Sequence, residues 1–239
     1  MTLELSSLDL VVLCGGRGTR LGAMTDQIPK PLLSIGGSPY LLRLLLHWKK
    51  EGVGRFILAA HYLADQFRGF AKEHAQQIGE VSVITEDVPL GTGGGIRNAA
   101  LHVKSETFLV ANGDSLVPQP WMDVVKFHDK HHAKMTIVAV RASRVVGGAK
   151  QKGMLDFTPG CELRSFATQY AVKDGWINGG MYVLNRDIVL GWPEGRSSLE
   201  NEIMSSPTRP RSYIFQSEAE LMDIGTPESF AMINEKFEA

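Results

Sequence analysis

A glycine-rich loop directly after an apolar stretch constrains the fold of this chain more than any other feature. The stretch Leu10-Val-Val-Leu13 is typical of a buried strand, and it leads into Cys14-Gly-Gly-Arg-Gly-Thr-Arg20. Glycines let backbone N–H groups approach an anion closely, and arginines offer planar forks that match phosphate oxygens. The loop therefore predicts a site for a phosphate-rich ligand at the end of a strand.

Two familiar phosphate motifs do not fit this loop. The P-loop requires Gly-Lys-Ser/Thr, and the sequence contains no such tripeptide. The dinucleotide fingerprint G-x-G-x-x-G would begin at Gly16 and Gly18, but its third glycine would fall on Leu21. A plain strand-to-helix turn stays an alternative, although it leaves the two arginines that flank Gly18 unexplained.

The loop continues to a lysine that lies between two prolines, in Pro29-Lys-Pro-Leu-Leu33. Proline fixes its own φ and favours extended backbone in the residue before it, so Lys30 is expected to be extended. A lysine held in this way has a preset direction, which suits a cation that must meet a developing charge.

Size, charge and cysteine content favour an α/β protein that acts on a small ligand. With 239 residues and 44% hydrophobic content, the chain can bury a full core as one domain. The net charge of −1 does not indicate nucleic acid or an anionic membrane as a partner. The two cysteines are far apart, and Met1-Thr-Leu-Glu-Leu5 lacks the basic and apolar regions of a signal peptide, so a cytoplasmic location is expected.

Strand-like and helix-like patterns alternate over residues 1–140, which predicts an α/β fold with a parallel-rich sheet flanked by helices. After Val140, glycines and prolines divide the chain into short hairpin-like or loop-like segments. We expect one domain over residues 1–239. Strands are predicted over 10–13, 55–60, 81–85, 107–111, 135–140, 179–185 and 212–215, and helices near 39–51, 64–77, 94–103, 120–132, 198–205 and 226–237.

Two distant aspartates are candidates for a metal site. Asp114 follows an apolar strand, and a carboxylate at the carboxyl end of a parallel strand reaches the ligand crevice of an open sheet. Mg²⁺ favours one or two carboxylates together with phosphate oxygens, although Asn-Gly-Asp also suits a simple turn. Asp223 lies more than a hundred residues further on and is alternatively an electrostatic partner for a helix N-terminus.

Three further groups of polar residues carry weaker signals. The segment Leu90-Gly-Thr-Gly-Gly-Gly-Ile-Arg97 could admit a flat base against bare backbone, or it is simply the start of a helix. Asn178 and Glu200 offer an amide and a carboxylate for sugar hydroxyls, although such isolated residues are usually surface or capping groups. Zinc binding is a hypothesis for His128, His131 and His132, but a solvated helix face is the expected interpretation.

Together, Gly15-Gly-Arg-Gly-Thr-Arg-Leu21 and Pro29-Lys-Pro-Leu-Leu33 resemble the N-terminal signature of the sugar-1-phosphate nucleotidyltransferases. Asp114 and Asp223, the latter in Asp-Ile-Gly-Thr-Pro, match the metal-binding positions of that family. The strings Leu-Gly-Thr-Gly-Gly, Ile-Asn-Gly-Gly and Ser-Leu-Glu look most like those of the D-glycero-α-D-manno-heptose 1-phosphate guanylyltransferases.

This resemblance implies a Rossmann-like nucleotidyltransferase domain with a mixed, mostly parallel sheet. Its nucleotide-binding part would cover residues 1–140, and a small β and loop sugar-binding portion with a terminal helix would cover 141–239. The implied reaction transfers a nucleotidyl group from a nucleoside triphosphate, with GTP favoured, to D-glycero-α-D-manno-heptose 1-phosphate, with Mg²⁺ as cofactor and surface polysaccharide as the destination. An N-acetylmuramate 1-phosphate uridylyltransferase, another sugar-1-phosphate nucleotidyltransferase and a catalytically inactive nucleotide-sensing subunit stay alternatives, and a homo-oligomer stays open.

The resemblance also assigns roles to individual residues. Arg20, Lys30, Asp114 and Asp223 would be catalytic, and the two aspartates would hold the metal. Asn178, Gly179 and Glu200 would bind the sugar, with Lys173, Arg164 or the metal holding its phosphate, because Ser165-Phe-Ala-Thr-Gln-Tyr170 lacks the lysine of many relatives. The residues assigned to the nucleotide are Leu13, Gly15, Gly16, Arg17, Gly18, Thr19, Arg20, Lys30, Gly91, Thr92, Gly93, Asn112 and Gly113.

Overall fold

The computed structural model of the chain describes residues 4–149, 153–167 and 175–238. Within these ranges, no helix has the length and apolar character needed to cross a membrane. The strands are β1 (Asp9–Leu13), β2 (Ser34–Ile35), β3 (Ser38–Pro39), β4 (Arg55–Ala60), β5 (Glu80–Thr85), β6 (Thr107–Asn112), β7 (Ser115–Leu116), β8 (Met135–Arg141), β9 (Met154–Phe157), β10 (Leu163–Ala167), β11 (Trp176–Asn185), β12 (Ser212–Ser217) and β13 (Met222–Asp223). The α-helices are α1 (Tyr40–Lys50), α2 (Ala64–Ile78), α3 (Gly91–Ala100), α4 (Trp121–Lys130), α5 (Arg186–Leu190) and α6 (Pro227–Glu238), and shorter turns include the 3-10 turns Thr19–Thr25 and Lys30–Leu32 and the π-helix Leu199–Met204.

A mixed sheet organises the described part of the chain. Its neighbouring strands are β5, β4, β1, β6, β11, β8 and β12 in that order, and the antiparallel β9–β10 hairpin joins it at β11. The first four of these strands are mutually parallel, and so is the β8–β12 pair. Only β11 within this series runs antiparallel to its neighbours, β6 and β8. This arrangement confirms the predicted mixed, mostly parallel sheet.

Both faces of the sheet are buried, which explains why its central strands are continuously apolar rather than alternating. In β1, Leu10 and Val12 pack in one core cluster, whereas Val11 packs in the other. Helices α1, α2, α4 and α6 contribute side chains to the first cluster, and α3, α5 and the π-helix contribute to the second. The carboxyl ends of β1 and β6 are therefore held between two packed layers, and the loops that follow them start from a rigid frame.

Helix α3 begins earlier than the sequence pattern indicates. It spans Gly91–Ala100, so the helix predicted near 94–103 begins and ends three residues too late. The Glu86 carboxylate accepts a hydrogen bond from the Leu90 N–H at 3.0 Å, which anchors the entry to the helix. The backbone of Ser197 packs against this glycine-rich turn, and its carbonyl accepts the N–H groups of Gly93 and Gly94, two of the four that lack a partner at a helix start. A tertiary contact therefore makes a run of poor helix formers helical.

His128 on α4 is buried, so the expectation of a solvated helix face is wrong for this residue. Its Nδ1 lies 2.9 Å from the Thr136 hydroxyl, and its Nε2 lies 2.8 Å from the Asn185 side-chain oxygen. Burial lowers the pKa of His128, which favours the neutral ring. Among the described residues, no group of three or more His, Cys, Asp or Glu side chains is arranged to hold a metal.

A buried carboxylate joins the amino-terminal ends of three strands. Asp9 at the start of β1 pairs with Arg55 of β4 at 2.6 Å, and it accepts hydrogen bonds from the N–H groups of Lys104 and Ser105 just before β6. Burial alone would raise the pKa of Asp9, but these partners outweigh it, and the net shift is downward. The ionised form of Asp9 is therefore the one that stabilises the fold.

We expect Asp9→Asn to lower the free energy of unfolding by about 2 kcal/mol at neutral pH, because the substitution leaves the guanidinium of Arg55 without one of its carboxylates. Since the folded-state pKa is depressed, the stabilisation is present above the unfolded value of about 3.9 and is lost as the pH falls through the folded value. Urea unfolding of both proteins from pH 7 downward should show the difference shrinking in acid. The control is Asp65→Asn, whose ion pair with Arg68 is exposed and should matter little at any pH.

Candidate active site

The glycine-rich loop forms one wall of a cleft of about 240 Å³ at the carboxyl end of β1. Gly18 adopts a φ of +66°, a conformation that favours glycine, and the 3-10 turn Thr19–Thr25 begins directly after it. The cleft brings together the loop, Lys30 and Asp114, which separate sequence motifs had identified as candidates. Its lining comprises Leu13, Cys14, Gly16, Gly18, Thr19, Arg20, Lys30, Pro31 and Asp114.

Lys30 lies between the two predicted metal ligands. Its ammonium nitrogen is 2.6 Å from Asp114 Oδ2 and 3.4 Å from Asp223 Oδ1. The side chains of Lys30 and Asp223 are 6% and 10% exposed, and that of Asp114 is 32% exposed, so the cluster is accessible from the Asp114 side. Three charged groups predicted from separate motifs therefore meet at one point.

The backbone at Lys30 differs from the sequence-based expectation. Lys30 opens the 3-10 turn Lys30–Leu32, which is closed by a hydrogen bond from the Leu32 N–H to the Pro29 carbonyl at 2.8 Å. The extended conformation expected from the two prolines is therefore wrong for Lys30. The turn directs the side chain inward, toward the two carboxylates.

A short antiparallel ladder brings the two aspartates together. Strand β7 pairs with β13, so that Ser115 lies opposite Asp223. The Ile224 N–H then donates to the Asp114 carbonyl at 3.1 Å. Since this ladder joins segments more than a hundred residues apart, no local sequence pattern could have predicted it.

Tyr40 supports this ladder and was missed by sequence reasoning. Its phenol is buried and donates a hydrogen bond to the Met222 carbonyl at 3.0 Å, one residue before Asp223. Burial raises the pKa of Tyr40, and the negative charges of Asp114 and Asp223 raise it further, so the phenol keeps its proton. The sequence signal for this role was one hydroxyl, that of Tyr40, among the apolar residues at the start of α1.

Gly225 is the second residue that sequence reasoning missed. A Cβ at this position would lie 2.7 Å from Asp223 Oδ1, 3.0 Å from Arg20 Nη2 and 3.1 Å from Lys30 Nζ. The absent side chain therefore leaves room for the tips of three predicted catalytic groups. Its position in the Asp-Ile-Gly-Thr-Pro string was visible in the sequence, but the crowding around it was not.

The residues between β6 and β7 also pack against the glycine-rich loop. The Gly113 N–H donates to the Leu13 carbonyl at 2.9 Å, and a Cβ on Gly113 would lie 2.9 Å from the Cys14 sulfur. Burial raises the pKa of Cys14, and Asp114 raises it further, so this thiol stays protonated and is a poor nucleophile. The Asn112 side chain packs against Gly180, which has a φ of +74°.

Asn178, a predicted sugar-binding residue, is held by hydrogen bonds within β11. Asn178 donates from Nδ2 to the Tyr182 hydroxyl at 2.6 Å and accepts from the Gly180 N–H at 3.0 Å. Burial raises the pKa of Tyr182, and the carboxylates of Glu200 and then Asp114 add to the shift. Burial and the negative charges of both carboxylates therefore favour the protonated phenol of Tyr182.

The predicted nucleobase segment is joined to the predicted sugar segment. Thr92 Oγ1 donates to Glu200 Oε2 at 2.8 Å, and the Gly93 N–H donates to the Ser197 carbonyl at 2.9 Å. A Cβ on Gly91 would lie 2.5 Å from that carbonyl oxygen. These glycines therefore allow the backbone at Ser197 to approach the start of α3 closely. Their contact with a nucleobase stays a prediction.

The remaining candidates are dispersed. Arg17 places its guanidinium over the Tyr62 ring, 5.1 Å from the centroid. Gly179 is buried in β11, where a Cβ would approach the Val138 carbonyl oxygen to 3.0 Å. Arg164 is exposed on β10, and Lys173 lies outside the described residues.

Asp114 and Asp223 could hold a magnesium ion. Their carboxylates converge on a point that already accommodates the positive charge of Lys30, and carboxylate oxygens are the ligands that Mg²⁺ prefers. Two protein carboxylates suffice where phosphate oxygens and water complete the coordination.

Comparison with known proteins identifies a family. A family model described as nucleotidyl transferase matches residues 10–239. The chain is 32% identical over 229 residues to the mannose-1-phosphate guanylyltransferase of Mycobacterium tuberculosis, and 32% identical over 225 residues to the mannose-1-phosphate guanyltransferase beta-A of Xenopus laevis. These matches cover 93% and 92% of the chain, which spans 62% of the length of each relative.

Solved structures share the fold. The crystal structure of HddC from Yersinia pseudotuberculosis complexed with GMP-PN aligns with a TM-score of 0.86 at 30% identity, and the alignment covers 96% of this chain and 99% of that one. A putative glucose-1-phosphate thymidylyltransferase from Bacillus anthracis aligns with a TM-score of 0.81 over 97% of this chain and 95% of that one. Its identity is 14%, so that likeness concerns the fold alone.

We expect Gly225→Ala to weaken binding of a nucleoside triphosphate by about tenfold or more, because the added methyl group would push Arg20 and Lys30 away from Asp223. Fluorescence titration with trinitrophenyl-GTP measures the affinity, and thermal unfolding checks the fold. Gly69→Ala on α2 is the matched control, since a Cβ there meets no atom within 4 Å. Equal affinities in the Gly225 variant and the wild type would contradict the crowding argument.

Proposed function

The chain belongs to the nucleotidyl transferase family, and on this premise we propose that it transfers a guanylyl group from GTP to a sugar 1-phosphate, releasing pyrophosphate. The preferred acceptor in this proposal is D-glycero-α-D-manno-heptose 1-phosphate, and the GDP-sugar would serve surface polysaccharide synthesis in the cytoplasm. The observation that carries the proposal is the position of Lys30 between Asp114 and Asp223, next to the glycine-rich loop.

The loop would bind the leaving part of the triphosphate. Gly16, Gly18 and Thr19 of the loop line the cleft and would offer backbone N–H groups to phosphate oxygens, and Arg20 adds a guanidinium near the Lys30 cluster. Together they would hold the β- and γ-phosphates, so that negative charge accumulating on pyrophosphate is stabilised as it departs.

The chemical step is an in-line displacement at the α-phosphorus. A phosphate oxygen of the sugar 1-phosphate forms a new bond to the α-phosphorus, and the bond from that phosphorus to the bridging oxygen of the β-phosphate breaks. No covalent intermediate with the protein is required, so catalysis consists of positioning and charge neutralisation. Lys30, buried and directed into the cluster, would stabilise the additional charge on the α-phosphoryl oxygens.

Asp114 and Asp223 would hold Mg²⁺ when nucleotide is present. The bound ion would supply charge neutralisation at the phosphate oxygens. The two carboxylates also keep Lys30 in place, and Tyr40 and the β7–β13 ladder keep the carboxylates in place.

Guanine as the base is supported by likeness to curated relatives and to a solved structure. The relatives from Mycobacterium tuberculosis and Xenopus laevis are named as guanylyl or guanyl transferases, and the HddC structure holds GMP-PN. For the acceptor, mannose 1-phosphate is the second candidate, because both of those relatives are named for it. The heptose phosphate is preferred on the resemblance of the Ile-Asn-Gly-Gly and Ser-Leu-Glu strings.

A matrix of nucleoside triphosphates and sugar 1-phosphates tests this proposal directly. Pyrophosphate release should be confined to GTP and should be fastest with the heptose phosphate, with mannose 1-phosphate the comparison. Release with UTP alone, in particular with N-acetylmuramate 1-phosphate, would overturn the assignment of base and sugar. No release from any combination, with GTP still binding, would instead favour a nucleotide-sensing subunit.

Lys30→Ala should lower kcat by roughly 10²-fold or more while changing the affinity for GTP only a few-fold, because Lys30 acts on charge that develops in the transition state. Steady-state kinetics and a separate GTP titration give the two quantities. Lys30→Arg is the companion variant, and it should recover part of the turnover since the positive charge remains. Near-normal kcat in Lys30→Ala would show that this role is wrong.

A further inference from the structure

The hydroxyl of Thr92 is fixed from both sides. It accepts a hydrogen bond from the Leu199 N–H at 2.8 Å and donates one to Glu200 Oε2 at 2.8 Å. A hydroxyl has one proton to donate. The bond from the Leu199 N–H therefore fixes the position of the oxygen, and the bond to Glu200 uses the proton. Thr92 therefore directs its proton at the carboxylate that is the candidate ligand for sugar hydroxyls.

The Glu200 carboxylate is held at one oxygen. The hydroxyl of Ser198 also reaches Oε2, at 3.3 Å, so both hydroxyls bind the same atom. Within the described part of the chain, no hydrogen bond reaches Oε1. This arrangement fixes the plane of the carboxylate and leaves its other oxygen for a ligand.

The backbones that carry Thr92 and Glu200 are joined, so this geometry is rigid. The N–H groups of Gly93 and Gly94 donate to the Ser197 carbonyl at 2.9 and 3.3 Å, and the Ser197 N–H donates to the Leu90 carbonyl at 2.9 Å. A Cβ on Gly93 would lie 2.7 Å from the Ser197 hydroxyl oxygen and 3.2 Å from the Leu199 nitrogen, so the absent side chain makes room for this approach. The start of α3 and the start of the π-helix therefore form one unit.

We propose that Thr92 is a positioning residue for the acceptor site: its hydroxyl holds the Glu200 carboxylate in the orientation that binds the hydroxyls of the sugar 1-phosphate. This inference rests on the proposed function, and it gives Thr92 a role different from contact with the nucleobase. Loss of the Thr92 hydroxyl would release Oε2 and let the carboxylate rotate. The cost would fall on the acceptor and not on GTP.

The test is a comparison of Thr92→Val with Thr92→Ser. Valine has the shape of threonine but neither donates nor accepts, whereas serine keeps both hydrogen bonds. We expect Thr92→Val to raise the KM for the sugar 1-phosphate about tenfold while the KM for GTP changes less than about twofold. Thr92→Ser should restore the acceptor KM to within about threefold of the wild type. A raised KM for GTP with an unchanged acceptor KM would overturn the proposal in favour of a nucleobase contact.

A double-mutant cycle separates positioning from a general loss of structure. In a Glu200→Ala background, Thr92→Val should add less than about twofold to the acceptor KM, because the carboxylate that Thr92 positions is already gone. Full additivity of the two substitutions would overturn the inference. Thermal unfolding of all variants shows whether the unpaired Leu199 N–H affects the fold as well.

Calorimetry with the heptose 1-phosphate and with mannose 1-phosphate distinguishes failure of this inference from failure of the proposed function. If the wild type releases no pyrophosphate, the activity is wrong, yet weaker binding of either sugar phosphate by Thr92→Val than by Thr92→Ser still supports the positioning role. Equal binding by the two variants would overturn that role, as would a wild type that binds neither sugar phosphate.

Discussion

The ion cluster of Lys30 with Asp114 and Asp223 is the interaction on which the rest of the candidate site depends. Two carboxylates that approach one another in a half-buried cleft repel, and the ammonium between them offsets that repulsion. The same charges that would bind a metal and a phosphate therefore hold each other in place. The remaining features of the site, from the inward turn at Lys30 to the space at Gly225, serve to let these groups meet.

Close approach of backbones is the second constraint, and glycine makes it possible at several places. Gly113 lets the end of β6 contact the loop after β1, and Gly93 lets the start of α3 contact Ser197. The first contact builds the predicted triphosphate cleft, and the second joins the predicted nucleotide and sugar segments through Thr92 and Glu200. The segments predicted to bind the nucleotide and the sugar phosphate are thereby held in a fixed position relative to each other.

Much of the fold could be predicted because its signals are local. Continuous apolar runs predicted the parallel strands, since both faces of the sheet are buried. Predictions failed where a distant contact decided the outcome. His128 is buried because α4 packs against β8 and β11. Helix α3 starts early because Glu86 anchors the residue before it and Ser197 accepts N–H groups of its first turn. Tyr40 could not be recognised as a support for Asp223 without knowing that its hydroxyl contacts the β13 backbone.

By itself, the sequence determined the kinds of groups present and the local elements that carry them: a glycine-rich loop after a strand, a lysine between prolines, and two aspartates in short motifs. Those are properties of neighbouring residues, and backbone periodicity and turn chemistry govern them. Only the tertiary structure decided which of these groups meet. The β7–β13 ladder and the Thr92–Glu200 hydrogen bond join residues more than a hundred positions apart, and such contacts form through packing and backbone pairing of the whole sheet rather than through any local preference.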